Sequence, residues 1–239
     1  MRIDKFLSEC GIATRKEAAK AGKAGLISVD GKCVRDLSVH INPEASVVTY
    51  CGKTVEYRRF TYVMLNKPTG YVSATDDKSL PYVTELLPPE LRKMQLFPVG
   101  RLDRDTVGLM ILTNNGKLAH TLLSPKKHVT KVYSLLVDEP LAEGITELFL
   151  AGVTLKDGYE CKSAILKPNP DRMGAEITLT EGKYHQIKRM IASTGNRVTF
   201  LERIRFADIE LDRKLARSEW RMLTDEEIAK LEEAGKNQI

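Results

Sequence analysis

The feature that most constrains this chain is an apolar run near its centre, residues 107–113, which read VGLMILT. Neighbouring side chains of a strand point to opposite faces of a sheet, and here the odd and the even positions are both apolar. A strand of this composition is buried on both faces, so the run predicts a buried central strand. Directly before it stands a cluster of charged residues: Arg101, Asp103, Arg104 and Asp105.

Composition excludes several classes of protein. The 239 residues suffice for one large domain or two unequal ones. The apolar runs are too short to cross a bilayer, and the charged first ten residues lack the apolar segment of a signal peptide. A cytoplasmic protein without a membrane partner is therefore expected. No C-x-x-C pair or nearby histidine accompanies the four cysteines, which favours reduced thiols and no metal site: Cys10, Cys33, Cys51 and Cys161.

The first 60 residues predict a compact unit of two helices and two hairpins. Residues 3–10 have helical apolar spacing. Thr14 and Glu17 form the S/T-x-x-E pattern of a capping box, which predicts the start of a second helix. Asp30-Gly31 lies between two short strand-like segments and suits a type I′ turn, and Cys51-Gly52 repeats the arrangement.

The same segment carries most of the excess positive charge. Residues 1–60 hold 11 Lys or Arg against 7 Asp or Glu, whereas the rest of the chain holds 26 against 25. The second predicted helix carries Arg15, Lys16 and Lys20, which indicates either contact with the phosphates of a polyanion or an ordinary solvated face. Residues 1–34 resemble an S4 RNA-binding domain over essentially their whole length. That resemblance implies that these three side chains bind RNA.

After a short charged connection at 56–60, strands and helices alternate without a second break. We therefore expect two domains, 1–58 and 59–239. The predicted elements of the second are strands at 62–65, 107–113 and 131–137, a helix after Gly116, a helix through Ile187 and Ile191 that ends at Gly195, and a terminal helix from the capping box at Thr224 to about Asn237.

Asp103 lies between two arginines where the chain enters the buried strand. A carboxylate so placed is a nucleophile, a general base, a metal ligand or half of an ion pair. Asp105 is the only close second carboxylate, and on an extended backbone the pair would share a face but sit well apart, which disfavours a metal site. A fixed guanidinium would keep a nucleophilic carboxylate ionised. On the pattern alone, catalysis and an ion-paired strand cap both stay open.

Four separated motifs carry a second resemblance. GRLDRDTVGLMILTNNG at 100–116 is similar to the central motif of the RsuA-type pseudouridine synthases, and three further segments agree with it: LNKPTGYVSA at 65–74, KVYSLLV at 131–137 and EGKYHQIKRMIASTGNRV at 181–198. The resemblance implies a catalytic domain built on a mixed, mostly antiparallel sheet with flanking helices. The whole chain is then an α+β protein.

The resemblance also implies which residues act. Asp103 falls on the catalytic aspartate, Tyr133 on the tyrosine that lies against the target base, and Lys188 on the basic residue that pairs with the aspartate. Arg189, beside Lys188, is the alternative partner. Arg101 completes the expected catalytic group.

Further basic residues of these motifs are expected to bind RNA. Arg101 or Arg104 would hold the phosphate of the flipped nucleotide or the position that its base has left. The lysine of the K-P-x-G motif, Lys67, is expected to contact RNA as well, and so is Arg189. His185 is a candidate acid or base, but a role in structure or RNA contact is favoured for it, and Tyr184 is assigned to packing.

The implied reaction converts uridine into pseudouridine. It breaks the N1–C1′ bond, turns the base and joins C5 to C1′, and everything that is detached stays in the pocket. The resemblance therefore implies no cofactor and no metal. The uracil must first leave the RNA stack. Whether Asp103 attacks C1′, adds to the ring or removes a sugar proton stays open.

The segments MLNKPTGYV, TDD at 75–77 and EGKYHQIKRM, with a short C-terminal tail, resemble the branch of the family that acts on 16S rRNA, commonly at uridine 516. The expected partner is 16S rRNA in an assembly intermediate of the small subunit, and the expected state is a monomer. Two alternatives are a 23S rRNA pseudouridine synthase of the same family and a non-catalytic RNA-binding protein of ribosome assembly.

Overall fold

A computed structural model describes residues 1–57 and 59–236 of the chain. The chain divides into two compact units, Met1–Thr61 with Thr84–Phe97, and Tyr62–Val83 with everything from Pro98 onward. The segment 84–97 therefore belongs to the N-terminal unit although it interrupts the sequence of the second. The expected boundary after residue 58 falls at Arg58, which lies outside the described residues, and it stays a prediction.

The N-terminal unit combines short helices with a small antiparallel sheet. Its helices are α1 (Ile3–Glu9), α2 (Arg15–Lys23) and α3 (Pro89–Lys93). The sheet order is β2-β1-β3-β4, with these strands: β1 (Ile27–Val29), β2 (Lys32–Cys33), β3 (Val48–Tyr50) and β4 (Lys53–Thr54). Apolar residues from α1, β1 and β3 form its core, among them Ile3, Phe6, Leu7, Ile27 and Val48.

Local sequence signals produce this unit as predicted. The Glu17 amide donates to the Thr14 hydroxyl at 3.2 Å and the Thr14 amide donates to the Glu17 carboxylate at 2.7 Å, which is the predicted capping box. At the hairpin turns Asp30 and Gly31 have φ angles of 49° and 77°, and the pair 51–52 has the same values. Left-handed residues of this kind join twisted strands without splaying them, so both hairpin predictions are confirmed.

The second unit is built on a larger sheet with strand order β13-β5-β7-β11-β8-β10-β9 and with β12 on β11. The strands are β5 (Tyr62–Lys67), β7 (Val107–Thr113), β8 (Lys131–Val137), β9 (Ile165–Pro168), β10 (Gly174–Leu179), β11 (Val198–Phe206), β12 (Ile209–Glu210) and β13 (Trp220–Met222). A two-residue strand, β6 (Phe97–Pro98), lies where the sequences of the two units meet. The helices are α4 (Gly116–Leu123), α5 (Ile145–Ala151), α6 (Gln186–Ser193) and α7 (Asp225–Lys236).

Strand β7 is the buried centre of this sheet, because all seven of its residues are buried. It pairs antiparallel with β5 and parallel with β11, and the other neighbours along the sheet pair antiparallel. Gly108 has a φ of 97°, and a Cβ there would lie 2.4 Å from the carbonyl oxygen of Arg203. Glycine thus lets β7 approach β11 closely. The predicted buried strand and the mixed, mostly antiparallel sheet are confirmed.

The predicted helices of this unit are also present. Asn115 caps α4, since its side-chain oxygen accepts from the Leu118 amide at 3.1 Å. Thr224 and Glu227 form the predicted capping box of α7, whereas the expected end near Asn237 lies outside the described residues. In the part of the chain that the structure describes, no helix has the length and apolarity that crossing a membrane would take.

Candidate active site

The charged motif before β7 forms a turn. The Thr106 amide donates to the Asp103 carbonyl oxygen at 3.1 Å, so the chain reverses before it enters the strand. The expectation of an extended backbone, with Asp103 and Asp105 well apart, is therefore wrong. The turn directs both carboxylates at one ammonium group, that of Lys188.

Helix α6 and the residue that precedes it bring two basic side chains to Asp103. Lys188 Nζ lies 3.3 Å from Asp103 Oδ2, and His185 Nε2 lies 3.6 Å from Asp103 Oδ1. His185 precedes the helix with a left-handed φ of 50°, which turns the chain into α6 beside the carboxylate. The Asp103 side chain keeps 27% of its exposure, so the group is held but stays reachable. The predicted pairing of Asp103 with Lys188 is present in the geometry, and the catalytic roles stay predictions.

Asp105 shares Lys188 with Asp103. Lys188 Nζ lies 2.5 Å from Asp105 Oδ1, closer than it lies to Asp103. Partial burial raises the pKa of Asp105, but the hydrogen bond and the charge of Lys188 outweigh it, so the net pKa is below the ordinary value. The centre is thus one ammonium between two carboxylates. Among the described residues, no three His, Cys, Asp or Glu side chains are grouped as a metal site would require.

The flanking arginines do not hold Asp103 as the sequence suggested. Arg104 Nε donates to the Gly70 carbonyl oxygen at 3.1 Å, and Arg101 is an exposed residue at the edge of the cleft. Within residues 1–57 and 59–236, the ion pairs of Asp103 come from α6 instead. Arg189 forms its ion pair with Asp157, so the structure brings Lys188 and not Arg189 to the carboxylate.

Lys67 cannot contact RNA in this structure, because its exposure is 0%. Its ammonium donates to the carbonyl oxygens of Arg104 and Thr106 at 3.2 and 2.8 Å and to that of Pro68 at 3.1 Å. The lysine therefore braces the turn that carries Asp103 from behind. The predicted RNA contact of Lys67 is therefore wrong. The ammonium group of a lysine can be buried when backbone carbonyl oxygens replace the water molecules that would otherwise solvate it.

Burial lowers the pKa of Lys67 to about 8, against the attraction of Asp105 and Asp103. In the unfolded chain its pKa returns to about 10.5. Between these values the unfolded state binds more protons, so this group's contribution to the free energy of unfolding rises with pH. We expect the difference in that free energy between wild type and Lys67→Met to rise by at most about 3 kcal/mol from pH 7 to 10.5. Urea unfolding at several pH values measures it, and a difference independent of pH would contradict the assignment.

Tyr133 lies in the cleft beside Asp103. It is 9% exposed and stands on β8, next to β11 in the sheet. The cleft has a volume of about 630 Å³ and is lined by residues of the turn, of β8 and of the segment before α6, including Arg101, Asp103, Arg104, Tyr133, Lys183 and His185. A space of this size can receive one nucleotide. The structure thus brings Tyr133 and Asp103 to one cleft, and the role that the resemblance implies for Tyr133 stays a prediction.

Tyr184 is not a packing residue, contrary to expectation. It is 76% exposed, and its ring stacks on that of His185 with centroids 3.8 Å apart. An exposed aromatic ring at the rim of a cleft is a surface on which a base can stack.

Two residues that the sequence did not single out hold the segment before α6. The Glu181 carboxylate accepts from Gln186 Nε2 at 2.5 Å, from the Tyr159 hydroxyl at 3.0 Å and from the Lys162 amide at 2.9 Å. Gln186 is buried, and its side-chain oxygen accepts from the Lys183 amide. This network fixes where α6 begins, and hence where His185 and Lys188 point. The motif EGKYHQIKRM held both residues, but nothing in their spacing showed that they bind each other.

In the N-terminal unit the predicted RNA-binding side chains are at the surface. Arg15, Lys16 and Lys20 lie on α2 and are exposed. Their exposure is compatible with RNA binding, which stays a prediction.

Comparison with known proteins accounts for both units. A family described as RNA pseudouridylate synthase matches residues 61–193, and the S4 domain family matches residues 1–47. A Bacillus subtilis protein named RNA pseudouridine synthase YtzG is 44% identical and aligns with 98% of this chain and 99% of its own. An Escherichia coli protein named ribosomal small subunit pseudouridine synthase A is 38% identical over 96% of this chain and 99% of its own.

A solved structure agrees with the sequence comparisons. A crystal structure of a pseudouridylate synthase superposes with a TM-score of 0.69 and 35% identity, covering 97% of this chain and 99% of that one. Relatives of this identity and coverage share the whole architecture rather than one module. The chain therefore belongs to the RsuA type of the RNA pseudouridine synthase family and carries an S4 domain at its N-terminus.

Proposed function

We propose that the protein isomerises one uridine of 16S rRNA, at the position numbered 516, with Asp103 as its catalytic carboxylate. The observation that carries the chemistry is the Asp103 carboxylate held at the cleft by Lys188 at 3.3 Å. The choice of RNA is supported by the E. coli relative named for the small ribosomal subunit and by the motifs at 65–77 and 181–190.

Each part of the cleft has a use in this reaction. The target uridine leaves the RNA stack and enters the cleft, where the ring of Tyr133 supports the base. Lys188, anchored on α6, fixes the direction of the Asp103 carboxylate, and the buried Lys67 fixes the turn beneath it. Positioning of this kind supplies much of the rate enhancement when the reacting groups are already in contact. Arg101 and Arg104, at the rim, are suited to the phosphates on either side of the flipped base.

The decisive experiment incubates the protein with 16S and 23S rRNA transcripts and with small-subunit assembly intermediates. Pseudouridine is then mapped by carbodiimide treatment, which stops reverse transcription at the modified base. We expect one new stop, at uridine 516 of 16S rRNA. A stop only in 23S rRNA would overturn the choice of substrate. No stop in any of these RNAs would favour a non-catalytic role in ribosome assembly.

We place the enzyme in the cytoplasm, acting as a monomer on an assembly intermediate in which the target uridine is still accessible. Sedimentation of the free protein and of its complex with the RNA measures the stoichiometry, and a dimer in both states would contradict the monomer.

The exposed basic face of α2 gives a prediction about salt. Replacing Arg15, Lys16 and Lys20 by Gln in the full-length chain should weaken RNA binding. It should also reduce the slope of log Kd against log salt by up to about two to three, roughly 0.7–0.9 for each phosphate that these side chains neutralise. The matched control removes three exposed lysines of the other unit, Lys78, Lys117 and Lys156. Equal slopes for the two triple variants would count against α2 as the electrostatic anchor.

A further inference from the structure

Two basic side chains, Lys131 and Arg203, lie in the floor of the cleft and have no part in positioning Asp103. Lys131 and Tyr133 point to the same face of β8, and Arg203 is the direct partner of Tyr133 on β11. All three line the cleft that contains Asp103. The aromatic ring of Phe206 lies 5.7 Å from Lys131 Nζ and 5.3 Å from the guanidinium carbon of Arg203.

Arg203 is the largest fully buried side chain among the described residues, with 1% exposure. Its Nε donates to the Leu109 carbonyl oxygen at 2.8 Å, but its Nη2 has no hydrogen-bond partner. Burial lowers the pKa of this guanidinium, and the neighbouring Tyr133 hydroxyl acts in the opposite direction. The guanidinium is thus a charge with incomplete compensation directly behind the tyrosine of the cleft.

Lys131 is a second basic residue of the cleft without a carboxylate partner among the described residues. Its Nζ donates to the Val129 carbonyl oxygen at 2.7 Å. Burial, with repulsion from Arg203 as a smaller cause, lowers the pKa of this lysine to about 8. In the part of the chain that the structure describes, neither Lys131 nor Arg203 is ion-paired with a carboxylate.

Packing does not explain this arrangement. Enclosing a cation costs several kcal/mol, and an apolar side chain of the same volume would fill the space at less cost. A fixed positive charge in a water-poor cleft stabilises a negative charge that develops there during a reaction, because no solvent must reorient. The two cations therefore indicate that negative charge appears above Tyr133 during turnover.

The chemistry of the proposed reaction supplies that charge. When the N1–C1′ bond of the uridine breaks, its electron pair leaves with the base, so the detached uracil is an anion with its charge spread over N1, O2 and O4. This holds when Asp103 adds to C1′ or removes a sugar proton. If Asp103 first adds to C6 of the ring, the departing base still carries the electron pair, which is then shared by N1 and O2. The base gives up this charge when its electron pair forms the C5–C1′ bond. The C5 proton is then lost and N1 takes up a proton, so the pseudouridine product is neutral.

We propose that Lys131 and Arg203 stabilise the detached uracil anion in the cleft. The inference rests on the proposed function. Lys131 is only partly buried and borders the open space, so it can reach the base directly. Arg203 is enclosed and acts through Tyr133, whose hydroxyl it orients; it is a positioning residue.

The test measures single-turnover rates at saturating RNA for wild type, Arg203→Met, Lys131→Met and Arg203→Lys. We expect each Met variant to lose about ten- to a thousandfold in rate, and Arg203→Lys to recover part of that loss. The Kd for RNA and its salt slope should stay within about twofold of wild type. Arg203→Met should unfold at the same temperature as wild type or higher. Lys167→Met, an exposed lysine on β9, is the control and should keep the full rate.

Each contrary outcome has a distinct meaning. Normal rates with a weaker Kd and a salt slope smaller by about one would make the pair a phosphate site and overturn the inference. A lower unfolding temperature with an unchanged rate for the folded fraction would make it structural and also overturn it. Equal rates in wild type and both Met variants overturn the inference alone. Absence of turnover by wild type on any rRNA overturns the proposed function, and the inference falls with it.

Discussion

Asp103→Asn should lower the rate of pseudouridine formation by roughly 10⁴-fold or more, the range in which removal of a central catalytic group falls. The amide has the shape of the carboxylate but can neither attack carbon nor take a proton. RNA affinity should change little, because the carboxylate is a small part of the surface that meets RNA and an anion does not attract phosphates. Single-turnover assays and a binding titration on the same preparation measure the two quantities.

Asp105→Asn is the matched control for this experiment. It removes the same charge from the same turn, and its carboxylate is bound to the same ammonium at 2.5 Å. We expect a loss of less than about tenfold, since Lys188 keeps Asp103 as its partner. If both variants lost activity equally, the negative charge of the turn would matter rather than the Asp103 carboxylate. If Asp103→Asn lost RNA binding as fully as turnover, the residue would be structural.

The parts of the fold that the sequence predicted are those determined by residues close together in the chain. The hairpin turn at 30–31 depends on two residues that tolerate a positive φ. The capping box depends on two side chains three positions apart, Thr14 and Glu17. Strand β7 depends on a run of seven residues, most of them apolar. Each signal is complete within a few positions. The segment 84–97 shows the limit, because its membership of the N-terminal unit depends on packing against residues that are distant in the sequence.

The site shows the same limit more sharply. From the residues alone, Arg101 and Arg104 were the natural partners of Asp103, since they are its neighbours in the chain. The turn at 103–106 points these arginines elsewhere, and the partner comes from α6, some 80 residues later; only family resemblance placed Lys188 there. Lys67 appeared to be a surface cation and is buried. Arg203 gave no signal, because a charge in an alternating strand predicts an exposed face and only sheet order puts it behind Tyr133.

Lys188→Met is the second change with a large expected effect, a loss of about 10²- to 10³-fold in the single-turnover rate. The Asp103 and Asp105 carboxylates would lose the ammonium that they share and would repel each other, so the catalytic carboxylate would leave the orientation that Lys188 imposes at 3.3 Å. His185, at 3.6 Å from Asp103, would then be the basic side chain left beside Asp103 among the described residues.

Arg189→Met separates this role from a general loss of positive charge on α6. Arg189 is the next residue of the helix and is ion-paired with Asp157, so its removal takes away one cation without disturbing the two carboxylates of the turn. We expect a loss of less than about threefold in rate, and Lys188→Arg should restore most of the activity because a guanidinium can also bridge two carboxylates. A larger loss for Arg189→Met than for Lys188→Met would reverse the assignment and make Arg189 the residue on which the geometry of Asp103 depends.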